Sequence, residues 1–283
     1  MISLFTRPST ASVLYDAPGP RARSRYRAFG VLSLLAIAGL LWYAVTALAD
    51  NGQFEAELWD AFAYNTIQQR IVDGLLATVE AFALAAAGSL ALGALLAAGQ
   101  LSDHRPVRWA AVSFVQFFRA MPLLILIVAL YYAFFAKEPM WALVLGLTLY
   151  NGSVQAEIIR SGVNAVPRGQ GEAGYALGLR KSQVMTTILV PQAVRSMLPT
   201  MIGQLVVTLK DTSLGFIITY PELLFVGKAI ATQPLNAAGF PYIPVVLVIG
   251  PIYIAMCLLL TALARWIEAR GRRGANRRTS AAA

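Results

Sequence analysis

Lys210 and Asp211 are adjacent inside an apolar run and are followed at once by Thr212 and Ser213. Ionisable groups at membrane depth face a cavity or a partner, and nearby hydroxyls can satisfy freed backbone groups. Two readings stay open for this quartet: a substrate path, or a structural ion pair at a helix break. Glu157 and Arg160 lie three apart on one helical face and fit a local pair near a membrane surface. Glu80, early in another run, fits a vestibule lining or a helix contact, and Arg119 is placed to snorkel to an interface. Other chemistry is missing. The sequence contains no G-x-x-x-x-G-K-[ST] phosphate loop, no H-E-x-x-H and no G-x-S-x-G. It has neither a K⁺-filter stretch nor a ladder of arginines for voltage sensing. Its single cysteine, Cys257, lies in an apolar run and rules out a disulfide framework or a cysteine metal site. The single histidine, His104, sits beside Arg105 and reads as a solvated loop residue. An enzyme has nothing here to work with, which leaves transport or scaffolding.

Positioning such charges requires a bilayer. The chain has 283 residues, 58% of them hydrophobic and only 13% charged, with a mean hydropathy of +0.62. Runs near 29–49, 74–99, 113–136, 140–160, 197–220 and 241–264 are each long enough to cross a core of about 30 Å as helices. A closed barrel would show short alternating segments instead. Six spans place 18 of the 23 Lys and Arg on one side. They lie in the tails and in the loops after spans two and four, whereas the opposite loops hold Arg70, Lys137 and Lys228. By the positive-inside rule both termini are cytoplasmic. The net charge of +9 is thus topological rather than a nucleic-acid footprint. Ala47-Leu48-Ala49 before Asp50 resembles a signal-peptide cleavage site, but the preceding run is long for one, so a retained first helix is expected. Phe54, Leu58, Phe62 and Ile67 recur at helical spacing and predict an amphipathic helix on the outer surface across 50–73. Tyr131, Tyr132, Trp141, Tyr150 and Tyr220 are expected to mark the interfaces.

The cytoplasmic loop 161–196 is not a slack connector. Pro167 and Gly169 break the preceding helix, and Glu172 is expected in the first turn of a new one, complementing its dipole. Gly178 can end that helix in a left-handed conformation. A second short helix, 181–190, is expected to stop at Pro191. This predicts helix, turn, helix across the membrane face, with Ala173, Gly174 and Ala176 allowing close approach by a partner. An amphipathic loop with no partner is the plain alternative.

The segment resembles the EAA loop of ABC importer permeases, whose pattern is E-A-A, three residues, G, nine residues, I-x-L-P. Glu172, Ala173, Gly174, Gly178, Ile188 and Pro191 occupy those positions, with Gly174 replacing the third Ala and Val190 replacing Leu. QFFRAMPLLILI at 116–127, AEIIRSGVNAVPRGQGEA at 156–173, LKDTSL at 209–214 and DGLLATVEAF at 73–82 are similar to stretches of the polar amino-acid permeases. The resemblance covers about residues 73–264. It implies an all-α polytopic membrane protein with a five-helix type I importer core, 74–264, plus one extra N-terminal transmembrane helix, 29–49. Basic cytoplasmic tails then occupy 1–28 and 265–283. It implies an ABC ATPase dimer as partner, holding the ATP and Mg, together with a second permease subunit and an extracytoplasmic substrate-binding protein. Glu172 to Gly178 would form the coupling helix, with Arg180 and Lys181 pairing with acids on the ATPase. Lys210, Asp211, Thr212, Ser213, Glu80 and Glu157 remain the substrate-path candidates, since an amino acid carries both a carboxylate and an ammonium group. Glutamate is the subfamily's suggestion. The rival function is a membrane scaffold or receptor recruiting a cytoplasmic partner without transport.

Overall fold

The computed structural model describes residues 19–234 and 239–280, with side chains as far as Trp266. Arg7 and the side chains of Arg270, Arg272, Arg273, Arg277 and Arg278 lie outside the described set. The described chain is helical, with no extended strand. It falls into two compact units, Met1–Phe54 and Glu55–Ala283.

The first unit is built on α1, Pro20–Asp50. Its apolar residues cover every face: Phe29, Leu34, Leu40 and Trp42 are all more than 60% exposed, as expected of a helix whose partner is lipid. The helix begins nine residues before the expected span because Pro20 takes the first helical position, where its missing N–H costs nothing. Arg21, Arg23, Arg25 and Arg27 therefore belong to the helix rather than to a tail. Its C-terminus closes as a Schellman motif: Gly52 has φ +68°, and Gln53 N donates to Leu48 O at 3.0 Å.

The second unit opens with a 3₁₀ helix, Ala56–Ala63, in place of the expected surface α-helix. With three residues per turn it turns Leu58 and Ala61 inward, and both are buried. α2 follows directly at Asn65–Gln100, nine residues ahead of the expected start, and runs about 54 Å at 1.5 Å per residue. The third expected span, 113–136, is not one helix. It is α3, Arg105–Ala120, and α4, Leu123–Phe134, bent by 99°. Pro122 is the cause: it donates no hydrogen bond and pushes Met121 into extended backbone at φ −77°, ψ 130°.

α5, Pro139–Asn164, is the central helix of this unit. It packs on α2, α3, α4 and on the helix that follows the loop. Small residues let α2 and α5 approach: a Cβ on Gly93 would stand 2.7 Å from Gln155 Cβ, and one on Gly88 2.7 Å from Thr148 Oγ1. Beyond α6, Arg168–Ala176, and α7, Lys181–Gln183, a π turn at Val184–Leu189 leads into α8, Val190–Asp211. The helix expected to end at Pro191 therefore continues through it. The wide π turn accommodates the proline, and Thr186 Oγ1 donates back to Ser182 O of α7 at 2.9 Å. A 3₁₀ turn, Thr212–Ile218, α9, Leu223–Ala231, and α10, Tyr242–Ser280, complete the chain. Among the described residues five helices are long and apolar enough to cross a membrane, six if the bent α3–α4 pair is one span. Tyr220, expected at an interface, is instead 5% exposed, its hydroxyl donating to Ala77 O at 2.9 Å.

Candidate functional site

The connection between α5 and α8 is built from its turns outward. Pro167, with ψ 131°, starts α6 cleanly, and Glu172 falls in its second turn rather than the first. The dipole argument for Glu172 therefore weakens, because the effect decays within the first turn. The helix ends in a Schellman motif around Gly178, φ +78°. Gly178 N donates to Tyr175 O at 2.9 Å and Leu179 N to Gly174 O at 3.2 Å. Gly174 is buried, and a Cβ there would lie 2.9 Å from both Val184 Cγ2 and Ile188 Cδ1, so α6 seats closely on the π turn at a residue without a side chain. Glu172, Ala173, Tyr175, Ala176 and Leu177 are exposed, Leu177 by 81%. An acid, small residues and two large apolar side chains thus face outward together from a short, capped helix.

The two basic residues after the turn part company. Arg180 is exposed, its backbone N–H donating to Gln183 Oε1 at 2.9 Å. Lys181, expected to meet a partner's acid, instead forms an ion pair with Asp103 in the α2–α3 turn and donates to Leu101 O at 3.2 Å. The hydrogen bond from Lys181 holds the Asp103 carboxyl below its ordinary value, with the charges of Lys181 and Arg108 acting in the same direction.

The expected substrate-path residues do not form one cluster. Lys210 and Asp211 make no ion pair with each other; those among the described residues are Arg119–Glu157, Arg160–Glu157 and Lys181–Asp103. Lys210 is exposed and Asp211 half-buried at the end of α8, while Thr212 is buried and donates to Leu209 O at 2.7 Å. The α-helix passes into the 3₁₀ turn at this point, which is the helix-break alternative in its mildest form. Ser213 is half-buried and Glu80 exposed. Glu157 does pair with Arg160, and Arg119 Nη1 approaches the same carboxylate at 3.9 Å, so Arg119 has a partner inside the protein.

Two polar features escaped the sequence reading. On α5, Asn151 and Gln155 are fully buried one turn apart. Gln204 Nε2 of α8 donates to Asn151 Oδ1 at 2.7 Å, and Gln155 Nε2 donates to Met201 O at 3.0 Å. The remaining amide atoms, Asn151 Nδ2 and Gln155 Oε1, have no protein partner. Their i, i+4 spacing in an apolar run was the available signal. The second is Glu222, fully buried. It caps α9 by accepting from Leu224 N and Phe225 N, each at 2.8 Å, and accepts from Tyr253 OH of α10 at 2.7 Å. An acid directly before the apolar run LLFVGKAIA is a cap pattern, though its α10 partner 31 residues later carries no sequence signal.

Known proteins resemble this chain in sequence and in fold. The family model described as binding-protein-dependent transport system inner membrane component matches residues 89–273. A glutamate transport system permease protein of Corynebacterium glutamicum is 38% identical over 239 residues, covering 82% of this chain and 86% of its own. A probable glutamine ABC transporter permease protein of Bacillus subtilis is 35% identical over 163 residues, 55% of this chain and 72% of its own. Among solved structures, a crystal structure of an amino acid ABC transporter with histidines superposes with a TM-score of 0.66 at 25% identity. It covers 74% of this chain and 98% of that one. With nearly two thirds of its length inside the family model, and an exposed, glycine-capped helix between its two central spans, this chain belongs to the binding-protein-dependent transport system inner membrane components.

Proposed function

We propose that this chain is the permease subunit of an ATP-driven importer of polar amino acids, glutamate first among them. The observation that carries the mechanism is the exposed helix α6, capped at Gly178 and seated on the π turn through Gly174. A helix presented in this way can enter a groove on a separate ATPase, which supplies the ATP and Mg chemistry that this chain has no motif for. The similarity to the glutamate permease over most of both chains supports the substrate class. A second permease subunit, identical or paralogous, and an extracytoplasmic binding protein complete the assembly. Both termini lie in the cytoplasm, as the charge distribution indicates.

Within this chain, Glu172 and Arg180 face the ATPase, and closure of the ATPase pulls α6 and so the π turn and α8. The seam between α5 and α8 combines amide bonds with close packing, since a Cβ on Gly162 would stand 2.5 Å from Met197 Cγ, and its parting opens the path. Lys210 and Asp211 at the end of α8 then offer opposite charges to a zwitterionic solute.

Proteoliposomes holding the permease, its ATPase and a loaded binding protein test the reading. Labelled glutamate should accumulate with ATP, and Glu172→Lys should reduce uptake at least tenfold, a loss of about 1.4 kcal/mol or more in coupling, with the chain still folded. Normal uptake in Glu172→Lys sinks the docking assignment. An ATPase that co-purifies without any solute movement favours the scaffold reading.

A further inference from the structure

We propose that Asp103 and Lys181 form a strut that carries movement of α6 to α2 and α3, making them positioning residues for energy coupling. This rests on the reading of α6 as the ATPase-docking helix. Starting at that helix, Gly174 lies against Val184 and Ile188, so α6 and the π turn move as one. Three residues past the left-handed Gly178, the Lys181 ammonium makes two contacts at once: it pairs with the Asp103 carboxylate and donates to Leu101 O, the C-cap carbonyl of α2. The same short turn is gripped from its other side, because Arg108 Nη1 of α3 donates to Ser102 O at 3.0 Å. Residues 101–103 are thus held between the loop and α3.

The surroundings make this contact count. Next to it, between α2 and the start of the 181–218 helix, lies a groove of ≈ 620 Å³ walled by Ala94, Ala97 and Ala98 on one side and Met185, Thr186 and Val190 on the other. At the mouth of this groove Lys181 bridges α2 and the start of the 181–218 helix, beside the packing that α2 and α8 share directly and through α5. The Lys181 side chain is 40% exposed and that of Asp103 72%, so the pair adds little to equilibrium stability. It can break and re-form during a transport cycle at small cost. The groups facing Asp103 are Lys181, Arg108 and His104, and none of them competes for Lys181.

The test uses the full complex of permease and ATPase in proteoliposomes, in a Cys257→Ser background with a fluorescent label at Trp109→Cys on α3. Wild type, Asp103→Asn, Lys181→Ala and the exchange Asp103→Lys with Lys181→Asp are compared. The expected result is full recovery of bound ATPase in every variant. The nucleotide-induced signal on α3 and the labelled-glutamate uptake per ATP should fall about fivefold or more in each single variant. The exchange should return both to within about twofold of wild type, as a pairwise contact requires. An unchanged α3 signal in the single variants overturns the strut, and so does an exchange no better than either single change. If the wild-type chain fails to retain the ATPase, the docking reading falls and the strut with it. Retained ATPase with unaltered α3 movement removes the strut alone.

Discussion

Glu222 is a carboxylate with no solvent around it, and its three hydrogen bonds explain why it is tolerated. Two come from the open N-terminus of α9 and one from Tyr253 on α10, while the adjacent Leu223 N donates to Thr78 Oγ1 of α2 at 3.0 Å. Glu222 and Leu223 together thus close a junction of three helices, with Val226, Ile230, Val245 and Ile249 packed beside them. Glu222→Ala leaves three donors unsatisfied in an apolar setting. The expected loss is about 3 kcal/mol, read as a lowered unfolding midpoint in detergent, with Glu222→Gln retaining at least half of the stability because its carbonyl oxygen still accepts. Equal midpoints for the alanine variant and wild type would show that the junction is not structural. Asp103 lies at the opposite limit of burial. Its carboxyl is held below 3.8, so whatever the Lys181 contact contributes is complete above that pH and is lost only as acid titrates through the lowered value. Near neutral pH the pair is constant.

Among elements, α5 packs closely on both of its main neighbours, α2 and α8. Toward α2 it presents Gly152 and Thr148 into the spaces at Leu92 and Gly88, and Gly93 admits the Gln155 backbone side. Contacts this close leave no freedom to slide. Toward α8 it presents Gly162, where a Cβ would lie 2.5 Å from Met197 Cγ, together with amides, two of whose atoms are unpartnered. Gly93→Val forces a branched side chain to within 2.7 Å of Gln155 Cβ, and the expected cost is about 2 kcal/mol together with loss of uptake. A variant that folded and transported like wild type would show that the α2–α5 contact is looser than its geometry indicates. The prolines differ by their local backbone. Pro122 bends its helix by 99°, whereas Pro191 and Pro199 remain within the 181–218 helix. At Pro191 a π turn absorbs the missing donor, and at Pro122 the preceding residue has already left helical backbone.

For the whole molecule, orientation is a matter of charge. The arginines of α1 and the bases of the α5–α8 connection fall on the same side if each expected span crosses once. A reporter fused after Ala283 that fluoresces only in the cytoplasm should be bright, and one inserted between Asp50 and Glu55 dark. The reverse pattern overturns the assigned topology. The α3–α4 bend bears on the same count, since α4 has 12 residues and about 18 Å of length. It reaches across only in combination with α3.

Composition, the helical membrane-spanning class, the glycine stop at Gly178 and the membership of the 89–273 region were legible in the chain itself. Each depends on local quantities: apolar length against bilayer thickness, backbone sterics at one residue, fixed spacing along a loop. The choices that depend on what lies opposite were not legible. Lys181 turns to Asp103 from 78 positions away, Glu222 meets Tyr253 on another helix, and Phe54, Leu58, Phe62 and Ile67 kept a helical spacing while 56–63 coiled as 3₁₀ and the residues from Asn65 joined α2. A side chain's type sets which contacts satisfy it, but the packing of distant helices decides which one it finds. The sequence by itself determined that a membrane-spanning permease with an ordered loop would form. Only the tertiary structure decided which charges face outward and which are spent inside, because pairing energy depends on distance and burial rather than on order along the chain.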